Sequence, residues 1–144
     1  MRVVLDTNTI ISGLFWDGLP WQVYHAALTG EYVLLASDAM IKELDDVLHR
    51  QKFAAALTEI DKTPELVVAS HREVVELVHP ADIAPDTVRD PKDTMILACA
   101  IGGKADYIVS GDKDLLALDI YQRIPIFSAV QFLEKLFQCR EETY

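Results

Sequence analysis

The sequence is poor in cysteine, in positive charge and in long apolar runs, and each shortage removes a class of protein. Its two cysteines, Cys99 and Cys139, form no CxxC and stand beside no paired histidines. That argues against a zinc site and against a disulfide framework, and it fits a reducing compartment. No apolar stretch approaches the ~18 residues a membrane span needs. The opening Met-Arg-Val-Val-Leu-Asp enters a strand-like run at once, with no signal peptide before it, so the chain reads as soluble and cytoplasmic. The P-loop and GxGxxG glycine patterns are missing, which removes the commonest nucleotide-binding readings. His25, His49, His71 and His79 lack ligand spacing and lack a serine or cysteine partner motif, and they read as structural or surface residues. Basic residues number 13 against 23 acidic ones, for a net charge of −10. Phosphate neutralisation normally leaves a basic footprint, so plain nucleic-acid binding is disfavoured. Acids that recruit divalent cations are not disfavoured, and room remains for a basic protein partner.

What is present is an ordinary globular composition, half apolar and a quarter charged, at a length typical of one domain spanning 1–144. About two-thirds of the unfolded surface can be buried at this size, enough for one core without staples. Arg2 to Leu5 reads as a buried strand ending at Asp6. Pro20 to Leu28 has near-helical spacing of Trp21, Tyr24, Ala27 and Leu28, with Gly30 as the stop. Tyr32 to Ala36 is a second strand, after which Ser37 or Asp38 caps a helix burying Ile41, Leu44 and Leu48. Thr63-Pro64 opens another helix. Val74 to Val78 is either a third strand or the continuation of that helix. His79 to Val88, with Pro80 and Pro85, is a loop.

Asp90-Pro91 caps a helix that runs through Met95 to Ile101 and stops at Gly102-Gly103. Asp106 to Ser110 is a strand followed by a turn at Gly111, Pro125 to Phe127 a last short strand, and Ser128 caps a helix through Phe137. Repeats and interdomain linkers are absent. Alternating strands and helices imply right-handed crossovers and a mostly parallel sheet covered on both faces, with chemistry beyond the strands' carboxyl ends.

Acidic residues cluster at those ends. Asp6 closes the first strand; Asp38 and Glu43 lie early in the helix after the second. Asp90 and Asp93 start the helix before the next strand, and Asp112 and Asp114 follow it. Asp90 reads first as an N-cap, Asp93 as a dipole-complementing acid, Glu43 as a solvated charge, and Asp112 and Asp114 as turn formers. Asp6 resists such a reading, because a carboxylate ending a buried strand is costly without a partner. Gathered together, these acids repel one another unless a hard divalent cation is shared. Such ions activate water and stabilise an in-line phosphodiester displacement.

The segments Val-Leu-Asp-Thr-Asn (4–8), Ser-Asp-Ala-Met-Ile-Lys-Glu-Leu (37–44), Asp-Pro-Lys-Asp (90–93) and Ile-Val-Ser-Gly-Asp-Lys-Asp-Leu-Leu (108–116) resemble the PIN-domain family, over residues 1 to 136 or so. They look most like prokaryotic PIN proteins described as toxins of toxin–antitoxin pairs. The resemblance implies a three-layer α/β/α sandwich with a central, mostly parallel sheet of four to five strands. It also implies an endoribonuclease using Mg²⁺ or Mn²⁺ on RNA, a small antitoxin protein as partner, and a homodimer or higher homo-oligomer. Asp6, Glu43, Asp93 and Asp112 match the family's acidic quartet and Asp114 a fifth acid, with Asp112 and Asp114 competing for the closer ligand position. Asn8 and Ser110 match its polar positions that orient the carboxylates.

Other residues are weaker signals. Lys104, Lys113, Arg89 and Lys92 lie near the acids and read either as phosphate contacts or as solvated charges. Phe15, Trp16 and Trp21 flank the loop expected after Asp6, where they either line a groove and stack on a base or are buried against a neighbour. Two rival functions remain beside the nuclease: a silent PIN-like interaction scaffold, and a small-substrate phosphohydrolase. The last typically wants Asp-x-Asp at the first strand, where this chain has Asp6-Thr7-Asn8.

Overall fold

The computed structural model describes residues 1–143. Strands β1 (Arg2–Leu5), β2 (Val33–Ala36), β4 (Tyr107–Val109) and β6 (Ile124–Phe127) form the parallel centre of the sheet, with β3 (Glu76–Leu77) and β5 (Ile120–Tyr121) at its edges. The order is β3-β2-β1-β4-β6-β5, parallel throughout except for β5 against β6. Among the described residues six strands therefore stand where four to five were expected, the edges adding two-residue strands.

The antiparallel edge was hidden for a chemical reason. Its two-residue turn is Gln122-Arg123, both at positive φ (45° and 71°). Turns of that kind normally announce themselves with Asn or Gly, and here neither is present.

Alternation along the strands divides the interior into two cores. Val3, Leu5, Leu34 and Val109 face a helical layer made of α1 (Thr7–Phe15), α2 (Leu19–Leu28), α3 (Asp38–Leu48), α5 (Pro64–Val74) and α8 (Ala129–Thr143). Val4, Leu35, Ile108 and Ile126 face the other way, onto α6 (Pro91–Gly102) and α7 (Lys113–Leu118). This is the α/β/α sandwich. A 3₁₀ turn (Gln51–Phe53) and the short α4 (Ala54–Glu59) connect α3 to α5. Among the described residues, no helix is long and apolar enough to cross a membrane.

Several local expectations change. The stretch after Asp6 is helix rather than loop: Asp6 caps α1 by accepting from Thr9 N–H at 2.8 Å, and Ile10 and Ile11 are buried in the core. The β-branched and small residues of Thr7-Asn8-Thr9-Ile10-Ile11-Ser12-Gly13 disguise it, since their helix propensity is poor. Gly13 is required by packing, because a Cβ there would come within 2.8 Å of the Pro20 carbonyl oxygen and of Tyr24 Cβ. Both alternatives for residues 74–78 hold in part, α5 ending at Val74 and β3 following at once. Ser37, not Asp38, caps α3. The turn after Gly111 leads into α7, and α8 runs past Phe137 to Thr143.

Candidate active site

Strands β1 and β4 are neighbours, yet the chain proceeds from β1 outward to β2 and β3, and from β4 in the opposite direction to β6. That switch point opens a crevice at the carboxyl edge of the sheet. Asp6 leaves β1 there, and Ser110 and Asp112 leave β4. Glu43 comes from the first half of α3, which starts at the same edge because it follows β2. Asp93 comes from the first turn of α6, which precedes β4 and so begins where that strand ends. A cavity of about 90 Å³ is lined by Asp6, Glu43, Asp93 and Asp112, with Asp90, Arg50 and Lys92 at its wall.

The acids are wired together. Asp6 is buried and splits its carboxylate, Oδ1 to Thr9 N–H and Oδ2 to the Ser110 hydroxyl. Ser110 Oγ in turn accepts from Asp112 N–H at 2.9 Å, so one hydroxyl fixes two acids. Asp112 Oδ1 caps α7, accepting from Asp114 N–H at 2.8 Å and Leu115 N–H at 3.1 Å. Glu43 accepts from Thr7 Oγ1 at 3.0 Å and faces Lys92 Nζ at 3.6 Å. Asp114 pairs with the exposed Arg89 at 2.8 Å. The N-termini of α1, α6 and α7 converge on this edge, and each favours nearby negative charge.

Asp93 stands apart. It is 6% exposed, and its Oδ2 is a buried oxygen with no hydrogen-bond partner among the described residues. Burial first, and then the charges of Asp112 and Asp90, push its carboxyl up from 3.8 to about 6. Ligand oxygens of Asp93, Asp112 and Asp114 lie within 4.8 Å of one another. A donor set of carboxylate oxygens, one of them unsatisfied, fits a hard divalent cation.

The structure thus brings Asp6, Glu43, Asp93 and Asp112 to one cavity and sets Asp114 beside Asp93 and Asp112. Asp90 caps α6, and Asp38 lies outside the cavity, paired with Arg72 at 3.8 Å. Ser110 donates to the Asp6 carboxylate and accepts from the Asp112 backbone N–H. Asn8 lines the cavity but makes no side-chain hydrogen bond among the described residues; its neighbour Thr7 does that work on Glu43. Thr7 and Arg50 were passed over in the sequence. Thr7 carried a signal, a hydroxyl beside the acid that closes the first strand. Arg50 carried none, since only the turn after α3 aims it at the cavity.

An acid-lined crevice at the switch point of an α/β/α sandwich is a donor arrangement that could hold a divalent cation. The chain belongs to the PIN-domain family: residues 2–114 match the family model, described as a PIN domain. That match spans every acid discussed above, and proteins of this family are generally nucleases. No curated protein matches the sequence. Among solved structures, one similar chain comes from the crystal structure of VapBC2 from Rickettsia felis bound to a DNA fragment from their promoter. It has 12% identity and a TM-score of 0.56, with 89% of this chain and 98% of that one covered, a likeness of fold.

Proposed function

We propose that this PIN domain is an endoribonuclease that uses Mg²⁺ or Mn²⁺ to cut RNA phosphodiester bonds, and that it is the toxin of a toxin–antitoxin pair acting in the cytoplasm. The observation carrying the reading is Asp93 Oδ2, a buried carboxylate oxygen with no hydrogen-bond partner among the described residues, in a cavity also lined by Asp6, Glu43 and Asp112. A silent scaffold would have no use for that arrangement, which costs stability through like-charge crowding and an unmet polar atom.

Asp93, Asp112 and Asp114, whose oxygens lie within 4.8 Å of one another, would hold the cation together with Asp6 and Glu43. When bound, it lowers the pKa of water and stabilises charge on the phosphodiester oxygens. The rest falls to the chain itself. Ser110 and Thr9 N–H lock the Asp6 carboxylate, and Ser110 ties Asp112 to it through the backbone. Thr7 turns Glu43 toward the cavity. Lys92 and Arg50 place positive charge at the rim, where a phosphate would otherwise meet only acids.

The toxin role draws on likeness of fold to VapBC2, a toxin–antitoxin complex, and on a net charge of −10 that suits a basic partner protein. Exposed Trp21, Leu28, Val130 and Phe137 on α2 and α8 leave apolar surface for a second copy in a homodimer. The test is cleavage of RNA with Mn²⁺ or Mg²⁺ by the wild type and by Asp6→Asn. Asparagine keeps the α1 cap, so the fold should survive while cleavage falls by roughly 10²- to 10³-fold, the scale of losing one charge-stabilising group. Equal cutting by both proteins would point to contamination or to another site.

A further inference from the structure

Beside the acidic cavity lies a second groove that the four carboxylates do not use. It is lined by Asn8, Ile11, Ser12, Trp16, Lys52 and Phe53, and Asn8 belongs to both depressions. We infer that this groove is a nucleobase-stacking subsite for single-stranded RNA, with Trp16 as the platform and Lys52 and Arg50 as backbone contacts. The inference rests on the nuclease reading for the identity of its ligand and on the groove's own chemistry for everything else.

Trp16 is 53% exposed, a costly placement for the largest aromatic side chain, and it is held rather than loose. Its backbone N–H closes α1 on the Ser12 carbonyl, and its ring meets Phe15 edge-on at 5.8 Å. Phe15 in turn stacks on Phe53 at 5.8 Å, and Lys52 Nζ sits 5.1 Å from the centre of the Phe53 ring. The platform is therefore braced by Phe15, and Lys52, held over the Phe53 ring, lines the same groove. A braced aromatic face with flanking positive charge is what sequence-tolerant binding of unpaired bases requires.

Position adds the second argument. Helix α1 begins at the Asp6 cap and ends at Trp16, a rise of roughly 15 Å along its axis. One rigid element thus fixes the spacing between acid and platform, over a length that a few nucleotides span. Charge is distributed to match. In a chain with ten more negative than positive charges, Arg50 and Lys92 border the acidic cavity and Lys52 borders the groove. A strand crossing from one to the other meets cations on its way past the carboxylates. A duplex cannot use the platform, because its bases are already stacked on each other.

The experiment separates binding from cutting. In an Asp6→Asn background, fluorescence anisotropy of a labelled single-stranded RNA oligonucleotide is compared with Trp16→Ala and Trp16→Phe added. Loss of one stacked base should weaken binding by roughly 5- to 100-fold for Trp16→Ala, with most of the affinity kept by Trp16→Phe. Duplex RNA of the same sequence should bind more weakly and be indifferent to either change. An abasic site walked along the oligonucleotide should reproduce the loss at one position, and should add nothing to Trp16→Ala. In the otherwise wild-type enzyme, Trp16→Ala should raise KM with little change in kcat.

Equal RNA binding with and without Trp16, or no RNA binding at all, overturns the subsite. So does a Trp16→Ala protein that binds RNA normally but loses a self-association or protein contact, since the groove would then hold protein. The two readings fail separately. RNA cutting that ignores Trp16 sinks the subsite alone, whereas Trp16-dependent binding without any cutting sinks the nuclease alone.

Discussion

Two buried polar sites in this molecule invite comparison, because burial acts on both and only one is completed by the protein. In the helical layer, His71 of α5 is 2% exposed and meets the Tyr24 hydroxyl of α2, with Oη 2.7 Å from Nδ1. Burial drives the tyrosine pKa well above its ordinary value, so its hydroxyl keeps its proton and donates. Burial also pushes His71 from 6.5 down to about 4, which leaves a neutral ring able to accept. At the sheet edge, Asp93 is also buried, yet its Oδ2 has no hydrogen-bond partner among the described residues and the acids Asp112 and Asp90 lie close to it. The first site is a finished hydrogen bond inside the fold; the second is a carboxylate crowded by other acids, with Lys92 and Arg50 on the same cavity wall. Arrangements of the second kind cluster at functional sites.

The sharpest way to break the comparison is Asp93→Asn. Activity should drop by roughly 10²- to 10³-fold, while the metal-free melting temperature holds or rises, because one charge leaves a crowded cluster. A melting temperature that collapses with the activity would make Asp93 a structural residue like His71. Ser110→Ala probes the wiring instead of a ligand. It takes the donor from Asp6 and the acceptor from Asp112 N–H together, so turnover should fall by roughly 10- to 100-fold. Urea titration of the same variant should show a stability cost of about 1–3 kcal/mol for the groups left unmet.

Tyr24→Phe makes the opposite split. It removes only the hydroxyl facing His71 and should cost about 1–3 kcal/mol in denaturant, with activity per folded molecule unchanged. A loss of turnover beyond the folded fraction would connect the helical layer to the chemistry.

The smallest effect is a slope. Asp93, raised to about 6, holds its proton in the folded state while the unfolded chain has lost it. Without metal it therefore favours folding below pH 3.8 and loses that contribution as pH rises through 6. His71, lowered to about 4, works the other way: its contribution is present above 6.5 and is lost as pH falls through 4. Between pH 4 and 6 the two oppose each other. Melting curves in a chelator should show a steeper rise of stability with pH for Asp93→Asn than for the wild type. Added Mg²⁺ should raise the wild-type melting temperature at pH 7 and leave Asp93→Asn nearly unmoved.

Much of this site was legible from residue order because parallel crossovers force strand ends and helix starts to one edge. Asp6 could be singled out since a buried strand gives an acid no cheap place to end. Asp93 and Asp112 were legible only as members of a set, as each is also a sound helix-start residue, and in the structure Asp112 is in fact a cap. Helix α1 escaped notice because burial of Ile10 and Ile11 overrides the poor propensity of their neighbours. The β5–β6 turn escaped because Gln122 and Arg123 adopt positive φ without the residues that usually do so. Which of Thr7 and Asn8 bonds to Glu43 is beyond linear reading: along a helix, adjacent side chains point about 100° apart, and only the packed position shows that Thr7 does.

The sequence by itself determined the alternation of strands and helices, the two-sided apolar pattern of the strands and the supply of acids at their ends, since these follow from periodicity and from the chemistry of single residues. Only the tertiary structure decided which oxygen would lack a hydrogen-bond partner among the described residues, which hydroxyl would join the Asp6 carboxylate to the Asp112 backbone, and that Trp16 and Lys52 would border the same groove. Those are properties of distances between segments far apart in the chain, and they come into being only when the sheet closes its register and the helices pack against it.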